Sequence, residues 1–223
     1  MPNTIQAISR SLSTDVQVLG TISHNVANLN TPGYRGVRAV PEFGASVGMR
    51  TALDLQDGSV SQTDRPLDLA LQGSGFFAIE RDGTVLLTRA GAFHLDLDGQ
   101  LVTARGDRVL GESGPLSLPS ANVRVDAQGG LWDGTQSLGK LQIIAVANPA
   151  GLRPAGDSAY QYDGVPTEWT GRVTQGAIEH ANVDAAAETI RLMETTRHAE
   201  SVQRAISIYD KAMDVGINQL GEN

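Results

Sequence analysis

Helical periodicity is written at both ends of this chain and is absent from its middle. From Ile5 the apolar residues fall at Ile5, Ile8, Leu12, Val16, Leu19, Ile22, Val26 and Leu29, seven steps of three or four residues over 24 positions. This is close to the spacing of about 3.5 that keeps one stripe turned toward a partner helix. Gln6, Ser9, Arg10, Ser13, Asp15 and Gln17 make a polar back face. Asn30-Thr31-Pro32-Gly33 then ends the helix, because proline restrains the residue before it and glycine opens a turn. After Gly176 the period returns at Val183, Ala187, Ile190 and Met193, and again at Val202, Ile206, Tyr209, Met213, Ile217 and Leu220. Asn182 and Asp184 stand where a helix start is capped, and the polar run Thr195-Thr196-Arg197-His198-Ala199-Glu200 thins the stripe between the two sets. Isolated helices of this size are marginal in water, so the first helix needs a partner. The last helix is the first candidate, and a second stripe from neighbouring subunits would complete the burial.

Residues 67–175 have a different texture. Short alternating or apolar runs (Leu67-Asp68-Leu69-Ala70-Leu71, Phe76-Phe77-Ala78-Ile79, Val85-Leu86-Leu87-Thr88, Leu141-Gln142-Ile143-Ile144) are separated by Asp82-Gly83, Asp98-Gly99, Gly129-Gly130 and Asp133-Gly134. Such pairs tolerate the positive φ of tight hairpins, so most of the 25 glycines read as turn chemistry in an antiparallel sandwich or small barrel.

Composition removes several classes of function. Without cysteine there is no disulfide, thiolate metal site or cysteine nucleophile. A net charge of −8 makes nucleic acid an improbable partner. The longest apolar run, Ile143 to Ala147, is far short of the roughly 20 residues of a membrane span, so no direct membrane insertion is expected. Residues 1–20 lack the apolar stretch of a secretory signal. Charge is uneven, summing to +1 over residues 1–44, −5 over 45–175 and −4 over 176–223.

Motifs of catalysis find no foothold. Gly73-Ser74-Gly75-Phe76-Phe77-Ala78 imitates a dinucleotide fingerprint but runs on into a strand where a helix would be needed. His94 to Gly99 opens like a calcium loop, yet Arg105 stands where the bidentate glutamate belongs. His24, His94, His180 and His198 show no metal-ligand spacing, and no nucleophile elbow or Ser-x-x-Lys is present. Arg105-Gly106-Asp107 reads as a turn. No catalytic residue, metal or cofactor is expected. A carbohydrate-binding protein would need a cleft with paired carboxylates or exposed aromatics, and Trp132 and Trp169 lie 37 residues apart in segments that read as turns.

One segment is more specific. Ser23-His24-Asn25-Val26-Ala27-Asn28-Leu29-Asn30-Thr31-Pro32-Gly33-Tyr34-Arg35 resembles the Asn-Asn-Leu-Ala-Asn-x-x-Thr-x-Gly-Phe/Tyr signature of the bacterial flagellar rod, hook and hook-associated proteins. The match holds at Asn25, Ala27, Asn28, Thr31, Gly33 and Tyr34 and departs at His24 and Val26. Arg65 to Phe77, Thr88-Arg89-Ala90-Gly91-Ala92-Phe93 with Asp98 to Thr103, and Gly176 to Val183 are similar to further blocks of that family, in family order. His180, Ala181 and Ala199 depart from it.

The resemblance implies an α+β chain with discontinuous N- and C-terminal helices forming a coiled-coil-like inner domain around a central antiparallel β outer domain. The expected division is residues 1–34, a linker at 35–66, the β domain at 67–175 and the last helix at 176–223. It implies a structural subunit of the flagellar rod, without enzymatic activity, located in the basal body within the periplasm. Implied partners are other copies of itself, neighbouring proximal and distal rod proteins, and the type III export apparatus, which needs no cleaved signal peptide. Phe43 with Val47 is similar to the export signal of early substrates. The short connection between Tyr34 and Ser61 resembles proximal rod members, with a divergent distal rod protein or a hook-basal paralogue as the alternatives.

Overall fold

The computed structural model describes residues 2–42 and 48–221, with side chains described at 6–40, 50–209 and 211–212. The architecture is α+β: one helix at each end of the chain and antiparallel strands between. It divides into two compact units, one made of residues 1–26, 37–51 and 184–223, the other of residues 27–36 and 52–183.

The first unit is built on two helices, α1 (Pro2–Ala27) and α2 (Ala185–Gly221), with a two-stranded sheet of Val37–Glu42 and Gly48–Leu53. α2 is capped by Asp184, whose Oδ1 accepts from the backbone N–H groups of Ala186 and Ala187 at 2.8 and 3.2 Å. The helix does not break at the polar run Thr195 to Glu200. There Thr195 and Thr196 donate their hydroxyls to the carbonyls of Arg191 and Leu192, four residues back, both at 2.8 Å. A threonine bonded in this way stays inside a helix rather than competing with it.

The second unit is a β body around a ten-stranded antiparallel sheet. Along its main path the strands run Leu152–Pro154, Ala159–Tyr162, Thr84–Thr88, Gly75–Arg81, Arg108–Gly111, Leu101–Thr103 and Phe93–Leu95. Strand Gly75–Arg81 lies inside the sheet and has both faces covered, which is why its sequence reads as an unbroken apolar run. Phe77 and Ile79 enter one core with Leu69, Leu71, Phe93, Leu101, Val109, Leu131 and Leu141. Phe76 and Ala78 enter a second with Leu87, Leu110, Val146, Leu152 and Tyr160. Edge-on aromatic pairs mark both, Phe77 on Phe93 at 5.1 Å and Phe76 on Tyr160 at 6.0 Å.

Asp82 and Gly83 join strands Gly75–Arg81 and Thr84–Thr88 with positive φ at both residues, the geometry that matches strand twist in a two-residue hairpin. Strands also occur before residue 67, at Val37–Glu42, Gly48–Leu53 and Val60–Gln62. Trp132 corrects the sequence reading of a turn: it lies in strand Gly130–Asp133, paired with Arg124–Val125 and Gln136–Lys140. Two further pairings, Arg172–Gln175 with Leu69–Gln72 and Ala177–Glu179 with Val60–Gln62, bring the entry to the last helix beside the first strands of the body.

Candidate functional site at the convergence of the signature segments

In the β body the blocks that carry the family resemblance meet around two buried arginines. Arg89 follows strand Thr84–Thr88, and all five of its N–H groups are engaged. Nε donates to Glu179 Oε2 at 2.8 Å, Nη1 to the carbonyls of Gly73 and Gly75 at 2.6 Å each, and Nη2 to Asp57 Oδ1 and the Leu71 carbonyl at 2.8 and 3.1 Å. Arg35 lies on the same carboxylates, with Nη1 2.9 Å from Glu179 Oε1 and Nη2 3.1 Å from Asp57 Oδ1, and it also donates to the Gln56 carbonyl.

Two guanidinium and two carboxylate groups make the cluster neutral. Arg35, Arg89 and Glu179 are buried, whereas Asp57 stays 42% exposed at its mouth. Burial lowers the Arg35 pKa from its ordinary value and Arg89 pushes it further down, against the pull of Glu179 and Asp57. Both carboxylates are held in ion pairs, so the cluster ties Arg35, Asp57, Arg89 and Glu179 together as a joint in the β body.

Backbone contacts complete that joint. The Gly33 N–H donates to the Glu179 carbonyl at 2.8 Å. A Cβ on Gly33 would lie 2.3 Å from the Arg89 carbonyl carbon, and its φ of +64° suits glycine, so this signature position admits no side chain. Asn182, expected as a helix cap, instead accepts the Gly36 N–H at 2.6 Å and donates to the carbonyls of Asp54 and Gln56 at 2.8 Å each. Of the other signature residues here, Tyr34 is buried, and Asn28 and Thr31 are half-buried and joined side chain to side chain at 3.2 Å. Leu29 is half-buried and Ala27 exposed.

In the helical unit, Asn25 is the signature residue with the most specific contacts. Its Oδ1 accepts the Val37 N–H and its Nδ2 donates to the Val37 carbonyl, both at 2.8 Å, so the amide stands in for a neighbouring strand. The same Nδ2 lies 3.2 Å from Glu188 Oε1, which also receives Arg191 Nη1 at 2.9 Å. Ten residues away on each helix, His198 Nδ1 lies 2.9 Å from both oxygens of Asp15. The two links fix α1 and α2 as an antiparallel pair.

That register sorts the expected stripe. Ile22 is buried, and Ile8, Leu12, Leu19, Val202, Ile206 and Tyr209 are half-buried. Val16, Val26, Ile190 and Met193 face outward, 61, 45, 57 and 57% exposed, and polar Asp15, Asn25 and Glu188 are buried instead. The side chains of Ile5, Met213, Ile217 and Leu220 lie outside the described residues, as do Phe43 and Val47. Sequence reasoning quoted Arg35, Arg89 and Glu179 inside their motifs without assigning them a role, and it missed Asp57 and Glu188. An aspartate in an Asp-Gly pair carries no local sign that it will meet two distant arginines.

Among the described residues no group of three or more histidine, aspartate or glutamate side chains is placed to hold a metal ion, and no helix is long and apolar enough to cross a membrane. Two family models match the chain: the flagellar hook protein FlgE/F/G D1 domain at residues 70–132, and the C-terminal part of flagellar basal body rod FlgEFG proteins at residues 174–220. The flagellar basal-body rod protein FlgG of Agrobacterium fabrum is 32% identical over 249 aligned positions, covering 88% of this chain and 91% of that protein. The rod protein FlgF of Mesorhizobium japonicum is 31% identical over 221 positions, covering 91% of each. FlgF of Escherichia coli is 30% identical over 216 positions, covering 83% of this chain and 85% of its own length.

Proposed function

Since the chain belongs to the family of flagellar basal-body rod proteins typified by FlgF and FlgG, we propose that it is a structural subunit of the proximal rod. One observation carries the rod assignment: relatives 30% identical or better align along most of both chains. Two features support the proximal position. The connection between Tyr34 and Ser61 is short, and the FlgG alignment takes 249 positions to engage 88% of this chain where FlgF of M. japonicum takes 221 for 91%. The FlgG relative therefore carries segments for which this chain has no counterpart.

In this reading the terminal helices form the inner, coiled-coil-like layer of the drive shaft and the Gly-rich β body the outer one. Ile8, Leu12, Leu19, Ile22, Val202, Ile206 and Tyr209 hold the subunit's own helix pair together. Val16, Val26, Ile190 and Met193 are the assembly seam toward other copies and neighbouring rod proteins, because an exposed apolar ridge on a helix pair needs a further helix to cover it. The subunit reaches the periplasmic part of the basal body through the type III export apparatus, with Phe43 and Val47 as its export signal. The test is a deletion strain complemented in trans. Cells without the protein should stop at the early rod, lacking hooks and filaments, and swimming should return with the wild-type gene; a deletion strain that still builds hooks would refute the proximal assignment.

A further inference from the structure

Trp169 and the residues around it are not used by the rod reading. The indole lies between strands Pro166–Glu168 and Arg172–Gln175 and lines a cleft of about 410 Å³ in the β body. Glu112, Gln128, Lys140, Gln142, Glu168 and Thr170 supply its polar walls. That volume falls within the roughly 300–1,000 Å³ of small-molecule sites.

The aromatic is held by backbone. A Cβ on Gly75 would lie 2.5 Å from Trp169 Cδ1 and Nε1, and one on Gly171 would lie 2.5 Å from Cε2 and Nε1. Two glycines thus seat the five-membered ring, whose N–H is shut away from solvent without an acceptor, while the residue as a whole is half-buried and packs against the core of the β body. Lys140 is anchored by Glu112 at 2.7 Å. The side chains of Gln128, Gln142, Glu168 and Thr170 make no hydrogen bond within the described chain, so amide, carboxylate and hydroxyl groups converge on the cleft with their capacity unused.

The geometry points to a saccharide site: the cleft binds a pyranose sugar, with Trp169 as the platform under the ring and Gln128, Gln142, Glu168 and Thr170 as its hydrogen-bonding rim. A sugar hydroxyl both donates and accepts, and the rim offers both kinds of partner. The indole gives a flat apolar surface to the C–H face of the ring. Two glutamates against one lysine disfavour phosphates and other polyanions, and the polar walls disfavour lipids. A peptide adding to the adjacent edge strand would meet Pro166, which has no N–H to give. This site is independent of the rod assignment.

The test is titration of the full-length protein with oligomers of N-acetylglucosamine and, separately, of glucose, followed by tryptophan fluorescence and backbone amide shifts. Saturable changes at residues 128, 142 and 168–171, with a Kd of roughly 0.1–10 mM, are expected for at least one series, and the stronger series identifies the ring substituent recognised. Q142A should weaken binding roughly two- to tenfold, as should Glu168→Gln, and Trp169→Ala should abolish it. If Trp169→Ala fails to fold, the two rim variants, at half-buried Gln142 and exposed Glu168, carry the test. Absence of saturable changes with both series, or affinity unchanged in Q142A and Glu168→Gln, would overturn the assignment.

Discussion

Arg89 is the residue whose loss the β body should tolerate least. Methionine in its place would leave buried Glu179 with Arg35 as its one remaining cationic partner and would take a hydrogen-bond donor from each of the carbonyls of Gly73, Gly75 and Leu71. Breaking one side of a buried ion pair costs about 3–5 kcal/mol, and urea unfolding of Arg89→Met should fall by that order. Adding Glu179→Leu should recover part of the loss, because Arg35 and Asp57 then balance each other and the cluster is neutral again; a double variant as unstable as the two single losses combined would contradict this account. Asp107 gives a pH-dependent case. Arg81 donates to it through Nε and Nη2 at 2.9 and 2.7 Å, and these hydrogen bonds hold its carboxyl below the ordinary value of 3.8. A carboxyl with a depressed folded pKa stabilises above its unfolded pKa and loses that contribution as pH falls through the folded value. Wild type should therefore exceed Asp107→Asn in stability at pH 7, with the gap closing below about pH 4. Urea midpoints from pH 7 to pH 2 measure this, and parallel curves would exclude it.

At the scale of elements, α1 presents two faces with different fates. Leu19 and Val16 belong to one stripe in the sequence, yet Leu19 is half-buried against its own unit and Val16 is 61% exposed. Leu19→Asp should destabilise the helix pair in the isolated subunit while leaving the β body's transition in place. Val16→Asp should change subunit stability by no more than about 0.5 kcal/mol, as exposed substitutions do, and still abolish swimming if Val16 lies in the assembly seam. Motile cells carrying Val16→Asp would remove it from that seam. Asn25→Ala tests a different element, the docking of strand Val37–Glu42 on α1. It deprives the Val37 N–H and carbonyl of their partners and should cost about 1–3 kcal/mol in helical-unit stability. Full protection of the Val37 amide from hydrogen exchange in that variant would contradict the role assigned to Asn25.

For the whole molecule, the proximal assignment carries a stoichiometric expectation. A subunit with the short connection after Tyr34 should occupy one short zone of the rod, so quantitative imaging of purified basal bodies should count few copies beside a long stretch of distal rod. A count as large as the distal rod's would move the assignment to a divergent distal protein. Torque transmission fits the proposed rod: helices rise about 1.5 Å per residue, so the 26 residues of α1 are long enough to provide an extended lateral contact if the helix packs along the shaft as proposed.

Existence of both helices and the cap at Asp184 were legible in the chain, as were the hairpin turn at Asp82-Gly83 and the family blocks, because periodicity, proline and glycine act over a few residues. Tertiary structure alone decided the rest. Arg89 meets Glu179 across 90 residues and Asn25 meets Glu188 across 163, and no local pattern distinguishes those carboxylates from the solvated ones around them. The same holds for the faces of α1: a stripe spaced at three and four residues is wide enough to hold both Leu19 and Val16, and only the register against α2, set by Asp15 with His198 and Asn25 with Glu188, turns one inward and the other out. Trp169 follows the same rule, since its cleft exists only where Gly75 and Gly171, nearly a hundred residues apart, leave room for an indole against the backbone.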